Sequence, residues 1–402
     1  PNRRAWPGNA MFPPRALPTP EFDVAFARAQ FPNACFGTGI ADGSTGWAFF
    51  ENAGGSYVPN SVIRHMTAYM TESQVQPSAP YPQSQLAAER MAAGHDRMAA
   101  MIGADARDVV IGPSTSMNVY VLSRALRPLW REGDEVIVAT LNHEANSSPW
   151  RRLAETGIKI IHWPVHPDTG ALTVDLLGDL LTDRTRLVAF PHVSNITGDI
   201  NDVAAITRQV HAAGAMVCVD AVAYAPHRAV DVKAWDVDFY LFSFYKVMGP
   251  HMGLLYGKRD RLLQAHGQGH LFFAEDDVQH KLNPTGPQHA QIAALAGITE
   301  YFDDLHKHHF GESDLGVHER ARQTFELVGN HEAKLANLLL DYLKGRDDIR
   351  ILGQDRATPG GRASTIAFHA RAMPSKHIAE QLANSKIGVG AGDFYALRCV
   401  EA

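Results

Sequence analysis

From about residue 100 the chain alternates short, apolar, β-branched runs with stretches of helical periodicity. The runs 109–111, 135–139, 159–163, 187–190, 216–220, 239–243 and 253–256 are apolar nearly throughout. That is the pattern of strands covered on both faces. Between them, 117–129, 149–156, 174–181 and 203–213 carry helical spacing, the last with Asn201 and Asp202 as caps and Gly214 as its stop. The alternation predicts a seven-stranded, mostly parallel, doubly wound α/β sheet. Two longer helical stretches follow, around 288–305 and 317–343. The tail then reads as a βαβ-like unit: strands 349–352 and 364–368, a helix after Pro374, and a strand at 387–389.

These changes of pattern predict three parts. Residues 1–46, rich in Pro, Gly, Asn and Ser, form an extended arm. Residues 47–290 form a large α/β domain and 291–402 a smaller C-terminal α/β domain. The small domain holds little sheet, which predicts a further segment beyond Ala402, and Met11 could equally be a native start. At 402 residues the chain is long enough for two or three domains without covalent staples.

Composition narrows the class. Apolar residues are 45% and charged residues 20%, ordinary for a soluble globular protein. There are 37 Lys and Arg against 43 Asp and Glu, a net charge of −6. A mildly acidic chain is a poor partner for nucleic acid or an anionic membrane, both of which call for a basic patch. No apolar run approaches the ~18 residues of a membrane span. Residues 1–20 have Arg3, Arg4 and several prolines but no apolar core of a secretory signal. Cys35, Cys218 and Cys399 are too few, and odd in number, for a disulfide framework. A reducing, cytoplasmic setting is expected.

In an open α/β sheet, ligands bind beyond the carboxyl ends of the strands. The first strand end reads Gly112-Pro113-Ser114-Thr115-Ser116 and opens a helix: a phosphate site, or a plain helix cap. The second leads to Asn142-His143-Glu144, where His143 is either structural or a flat ring for stacking. Another leads to Asn195, a turn cap or a donor to a ligand oxygen. Asp220 closes a buried strand and must have a partner there. That partner is an Arg, a backbone N–H, or a protonated heterocyclic nitrogen. Lys246 follows Ser243-Phe244-Tyr245, either solvated or desolvated enough to lower its pKa for Schiff-base chemistry. The combination decides. Hydroxyls, ring, amide, buried acid and lysine at successive strand ends are what pyridoxal phosphate needs.

On these stretches the chain resembles a fold-type I pyridoxal 5'-phosphate enzyme of the class V aminotransferase family, cysteine desulfurase-like branch. Asn52-Ala53-Gly54-Gly55, 142–146 with Pro149-Trp150, 192–198, Val219-Asp220 with Ala225-Pro226-His227, and 243–246 with Gly249-Pro250 and the strand 253–257 carry the likeness, in order. The resemblance implies that Lys246 holds the cofactor as a Schiff base and serves as the base for the substrate Cα proton. It implies that Asp220 faces the ring nitrogen, that His143 stacks, and that Asn195 faces the phenolic oxygen. Thr115, Ser116, Ser243 and Tyr245 would line the phosphate. Thr285 would reach the phosphate of a neighbouring subunit, giving a homodimer with shared sites. Asn52, Ala53, Tyr395 and one of Arg362 and Arg398 would meet the substrate, a small amino acid.

Three departures matter. Ala223 replaces a Gln or His three residues after the acid, and Tyr245 replaces a His before the lysine. In 387–396, Gly390 stands where desulfurases carry an Arg, and Tyr395 where they carry the persulfide-forming Cys. The expected activity is therefore a C–S or β-lyase, or an aminotransferase. A desulfurase using Cys399, or an epimerase, is the alternative. Ser243-Phe244-Tyr245-Lys246 also matches S-x-x-K, but the S-D-N and K-T-G partners of that acyl-enzyme chemistry are missing. A non-catalytic binding module is disfavoured by an intact Lys246 and Asp220. Gly37-Thr38-Gly39 lacks the preceding strand of a dinucleotide loop. His306, His308 and His309 do not share a helix face, which predicts a solvated helix end and no metal.

Overall fold

The computed structural model describes residues 20–32 and 46–402, so Cys35 and Gly37-Thr38-Gly39 lie outside the described residues. The seven sheet strands are β1 (Val109–Gly112), β2 (Glu135–Ala139), β3 (Lys159–Trp163), β4 (Thr185–Pro191), β5 (Met216–Asp220), β6 (Phe239–Ser243) and β7 (Gly253–Gly257). Their order is β1-β7-β6-β5-β4-β2-β3. Neighbours run parallel except that β7 is antiparallel to both β1 and β6. Six carboxyl ends and the amino end of β7 thus lie along one edge.

The near-continuous apolar runs have the expected cause. Alternate residues of each strand enter two separate cores. Ile111, Ile137, Val188, Val217 and Phe242 join one; Val110, Val136, Leu187, Cys218 and Leu241 join the other. Both faces are covered, so polar residues have no place until a strand ends.

Two helices in 47–108, Asn60–Glu72 and Pro82–Met101, were not legible as periodicity. The second buries mainly Ala, Ser, Gly and Met, so its apolar stripe is faint. It meets the helix His289–Ala294 so closely that a Cβ on Gly94 would lie 2.0 Å from the Ile292 carbonyl oxygen. The stretch expected over 288–305 is two helices, His289–Ala294 and Ala296–Phe310.

The tail differs from a βαβ unit. Ile349–Leu352 pairs antiparallel with Ala367–Ala370, because the Gly- and Pro-containing link between them forms no crossover helix. Ile387–Gly388 leaves that pair and runs parallel to Ala48–Phe49. The histidine cluster is a solvated end only in part, since His308 is exposed but His306 is not. His306 is buried against Gln323, and His308 and His309 dock the short helix Val24–Ala29 through Asp23. Phe26 stacks on His308 at 3.8 Å. Among the described residues no helix is long and apolar enough to cross a membrane.

Candidate active site

A cleft opens at the carboxyl edge of the sheet. Thr115, Ser116, His143, Asn195, Asp220, Ser243, Tyr245 and Lys246 all line it, with Ala145, Pro191, Val193, Val222 and Ala223.

Its floor begins at the helix Thr115–Leu126. Ser114 caps it, accepting from the Met117 N–H at 3.1 Å. Thr115 and Ser243 share a hydrogen bond of 2.7 Å between hydroxyls. The amino end of β7 is pressed under this turn. A Cβ on Gly253 would lie 2.4 Å from the Thr115 nitrogen. The free N–H groups and positive dipole end of this helix therefore face the cleft as an anion site.

Asp220 is 4% exposed. Among the described residues its carboxylate has one hydrogen bond, from the Val222 N–H to Oδ1 at 2.9 Å, and no ion pair within 4 Å. Burial pushes its pKa up, against the pull of His143 and Lys246. A buried carboxylate with an oxygen unmatched is costly, and a cationic N–H placed there relieves the cost.

His143 accepts the Ala145 N–H at Nδ1, 3.0 Å away, which leaves the ring proton on Nε2. Burial holds its pKa down, as does Lys246, while Asp220 and Glu144 oppose. The ring is thus neutral and flat. Asn142 and Asn146 fix the loop from behind, through Nδ2 bonds to the carbonyls of Ala189 (2.8 Å) and Cys218 (3.3 Å).

Lys246 sits in a short 3-10 turn after β6. Burial lowers its pKa, with Asp220 opposing. The turn is strained: Met248 has φ 59°, in the left-handed region. Ser56 holds it. Its hydroxyl accepts the Met248 N–H at 2.8 Å, and its N–H donates to the Tyr245 carbonyl at 2.9 Å. Tyr245 stacks on His251, with centroids 4.5 Å apart. The sequence marks Gly253 only as the start of a strand and does not mark Ser56. Ser56 follows the Asn52–Gly55 stretch directly, and Gly253 opens β7. No local signal ties either to a contact 138 or more positions away.

Other expected positions fall elsewhere. Arg362 is 1% exposed, and its guanidinium is spent on the carbonyls of Gln354, Ala363 and Thr365. It does not line the cleft. Arg398 is paired with Glu144 at 2.6 Å. Asn52, Ala53 and Thr285 are exposed and outside the cleft lining, with the Thr285 hydroxyl donating to Asn283 Oδ1 at 3.2 Å. A Cβ on Gly390 would lie 2.8 Å from the Phe394 ring and 2.9 Å from Glu51 Oε1. A side chain there would require Phe394 and Glu51 to shift. Cys218 is core, and burial drives its thiol well up. Burial, with Asp199 adding, pushes the Cys399 thiol up to about 11.

Fold and site together define a cysteine desulfurase-like, pyridoxal 5'-phosphate-dependent enzyme of the aminotransferase kind. The chain belongs to the class V aminotransferase family, which matches residues 48–400. It is 34% identical over 387 residues to the aminotransferase-like protein FGM3 of Gibberella zeae, covering 94% of this chain and 90% of that one. It is 32% identical over 373 residues to the cysteine desulfurase-like protein ustD of Aspergillus flavus, covering 89% and 77%. Its fold is similar to that of the Escherichia coli cysteine desulfurase CsdA, S-sulfonic acid form, with TM-score 0.75, 25% identity and coverage of 94% and 90%.

Proposed function

We propose that the cleft holds pyridoxal 5'-phosphate and acts at the Cα of a small amino acid, with β-elimination or transamination as the outcome, and without passing sulfur through a protein thiol. The residues present fit the cofactor. The Thr115–Ser243 hydroxyl pair, Ser116 and the helix N-terminus suit its phosphate, and Tyr245 stands beside them. The unmatched oxygen of Asp220 suits a protonated ring nitrogen. His143 offers a neutral face, Asn195 an amide for the phenolic oxygen, and Lys246 an amine for the aldehyde.

When bound, the cofactor supplies a sink for the electrons left at Cα. The chain's own groups do the rest. Asp220 keeps a proton on the ring nitrogen. Lys246, its pKa lowered by burial with Asp220 opposing, takes the Cα proton and returns one. Ser56 keeps the lysine turn from relaxing away from the cleft. Ala223 brings no polar side chain to the cleft, so Asn195 would be the amide offered to the cofactor's phenolic oxygen.

What supports a route without a persulfide is that, among the described residues, no cysteine lines the cleft, and that a phenol, Tyr395, meets His143 with ring centroids 5.4 Å apart. The test is a screen of the holoenzyme against amino acids, scoring pyruvate, sulfide and keto acids separately. It is coupled to mass spectrometry of alkylated enzyme after incubation with cysteine. Pyruvate or a keto acid with unmodified Cys399 supports the reading. A 32-dalton adduct on Cys399, with activity lost in Cys399→Ala, restores the desulfurase.

We further propose a homodimer. Met117 and Tyr120, on the helix that opens at the cleft, and Leu271 and Phe272 are exposed apolar side chains a second copy would cover. Thr285, exposed and away from its own cleft, would then serve the partner's. Sedimentation of the holoenzyme at micromolar concentration should give twice the chain mass; a cofactor-loaded monomer would refute it.

A further inference from the structure

The segment Asp393-Phe394-Tyr395-Ala396 bends in a way that side chains resist. Phe394 (φ 48°) and Tyr395 (φ 59°) both lie in the left-handed region, and neither is glycine. Consecutive residues persist there only where the surroundings hold them.

Here they are held from three sides. Asn195 Nδ2 donates to the Phe394 carbonyl at 2.9 Å. The Glu144 N–H donates to the Tyr395 carbonyl at 2.7 Å. The Tyr395 N–H donates to Asp393 Oδ1 at 2.9 Å. Glu144 is itself fixed, its carboxylate accepting from Arg398 at 2.6 Å and from the Ser148 hydroxyl. Asn195 lines the cleft and Glu144 follows His143, so the turn is fastened directly to the cleft rim. Phe394 fills the space beside Gly390 and backs the turn from the other side.

The outcome is a ring at the mouth. Tyr395 meets His143 with centroids 5.4 Å apart and planes inclined by 46°. It remains 73% exposed, so it stands at the rim and not in the floor. Burial, with the nearby Tyr395 phenol among the smaller contributors, raises the pKa of Tyr245.

We propose that Tyr395 is a specificity-determining residue: a pinned wall that limits the cleft mouth to amino acids with short side chains. This rests on the reading of the site as an amino-acid enzyme. The Asn195 amide has a second N–H and an oxygen left for the cleft, so one side chain both faces the cofactor site and fixes the wall. A freely hinged flap would not need, or keep, two adjacent left-handed residues. The strain is held because the ring is held.

The test uses the holoenzyme with alanine, cysteine, methionine and phenylalanine. Two quantities are read: the change in the cofactor's absorption band on titration, giving an apparent Kd, and kcat/KM from product formation. Tyr395→Ala should improve methionine and phenylalanine relative to alanine about tenfold in both. Tyr395→Phe, which keeps the ring, should hold that ratio within about twofold. Arg398→Ala, which loosens Glu144 without touching the ring, should shift the ratio in the same direction and keeps the test open if Tyr395→Ala does not fold. An unchanged ratio in Tyr395→Ala, or a change in Tyr395→Phe as large as in Tyr395→Ala, overturns the wall. If no amino acid perturbs the wild-type band, the amino-acid reading itself fails, and the wall falls with it.

Discussion

At the residue scale, Asp220 and Lys246 are the positions where burial and function conflict. Each is charged in water, and each has been moved to the end of an apolar strand where its ionised form is penalised. Such a position is legible in sequence because the surrounding run is apolar and the residue is not. The two arginines were not legible. Whether Arg362 or Arg398 is free depends on how the loop turns the carbonyls of Gln354, Ala363 and Thr365 onto the first and on distant Glu144 for the second, which no spacing reveals. Asp220→Asn is nearly isosteric but cannot make a charge-assisted bond to a ring N–H⁺, which is roughly twice as strong as a neutral one. We expect it to retain cofactor and to lose turnover by ~100-fold, about 2.7 kcal/mol on the barrier. Steady-state kinetics of the cofactor-loaded variant checks this, and a wild-type rate would reduce Asp220 to a structural role.

At the element scale, the strands were readable because seven apolar runs feed two cores at once. The Ala-rich helix Pro82–Met101 was not, because its packing depends on small residues and close backbone approach. The same kind of close approach shapes the anion site. Gly253 lets β7 lie directly beneath the Thr115 turn. Gly253→Ala forces the two apart, and overpacking of this kind costs ~1–3 kcal/mol. We expect a lowered melting temperature and weakened cofactor affinity, read by thermal unfolding and by titration of the cofactor. Gly360→Ala is the control, since a Cβ there meets nothing within 4 Å. Equal behaviour of the two variants would mean that the tight contact does not govern the cleft.

At the scale of the whole molecule, the long helix Val317–Lys344 meets the segment after β5 at His318, 3.3 Å from Asp231, and at the Glu332 carboxylate. Glu332 pairs with His227 at 2.8 Å and with Arg228 at 2.7 Å. Burial raises its pKa, but His227 and Arg228 outweigh that and hold it below the ordinary range. A depressed acid contributes stability above its unfolded pKa, about 4.3. That contribution is lost as pH falls through the lower folded value. Glu332→Ala leaves two partners uncompensated and should cost ~3 kcal/mol at pH 7. The gap from wild type should close as pH falls below about 4. Denaturant unfolding at both pH values checks it, and a constant gap would contradict the assigned ion pair. Nothing local marks Glu332, which lies 105 positions from His227. The pairing of Ile387–Gly388 with Ala48–Phe49 was hidden in the same way.

The central claim is that Lys246 carries the cofactor. Borohydride reduction of the purified holoenzyme, followed by peptide mapping, fixes any imine to the lysine that formed it. The account predicts a single pyridoxyl adduct, on Lys246. An adduct on any other lysine, or none on a protein that still holds the cofactor, would contradict it.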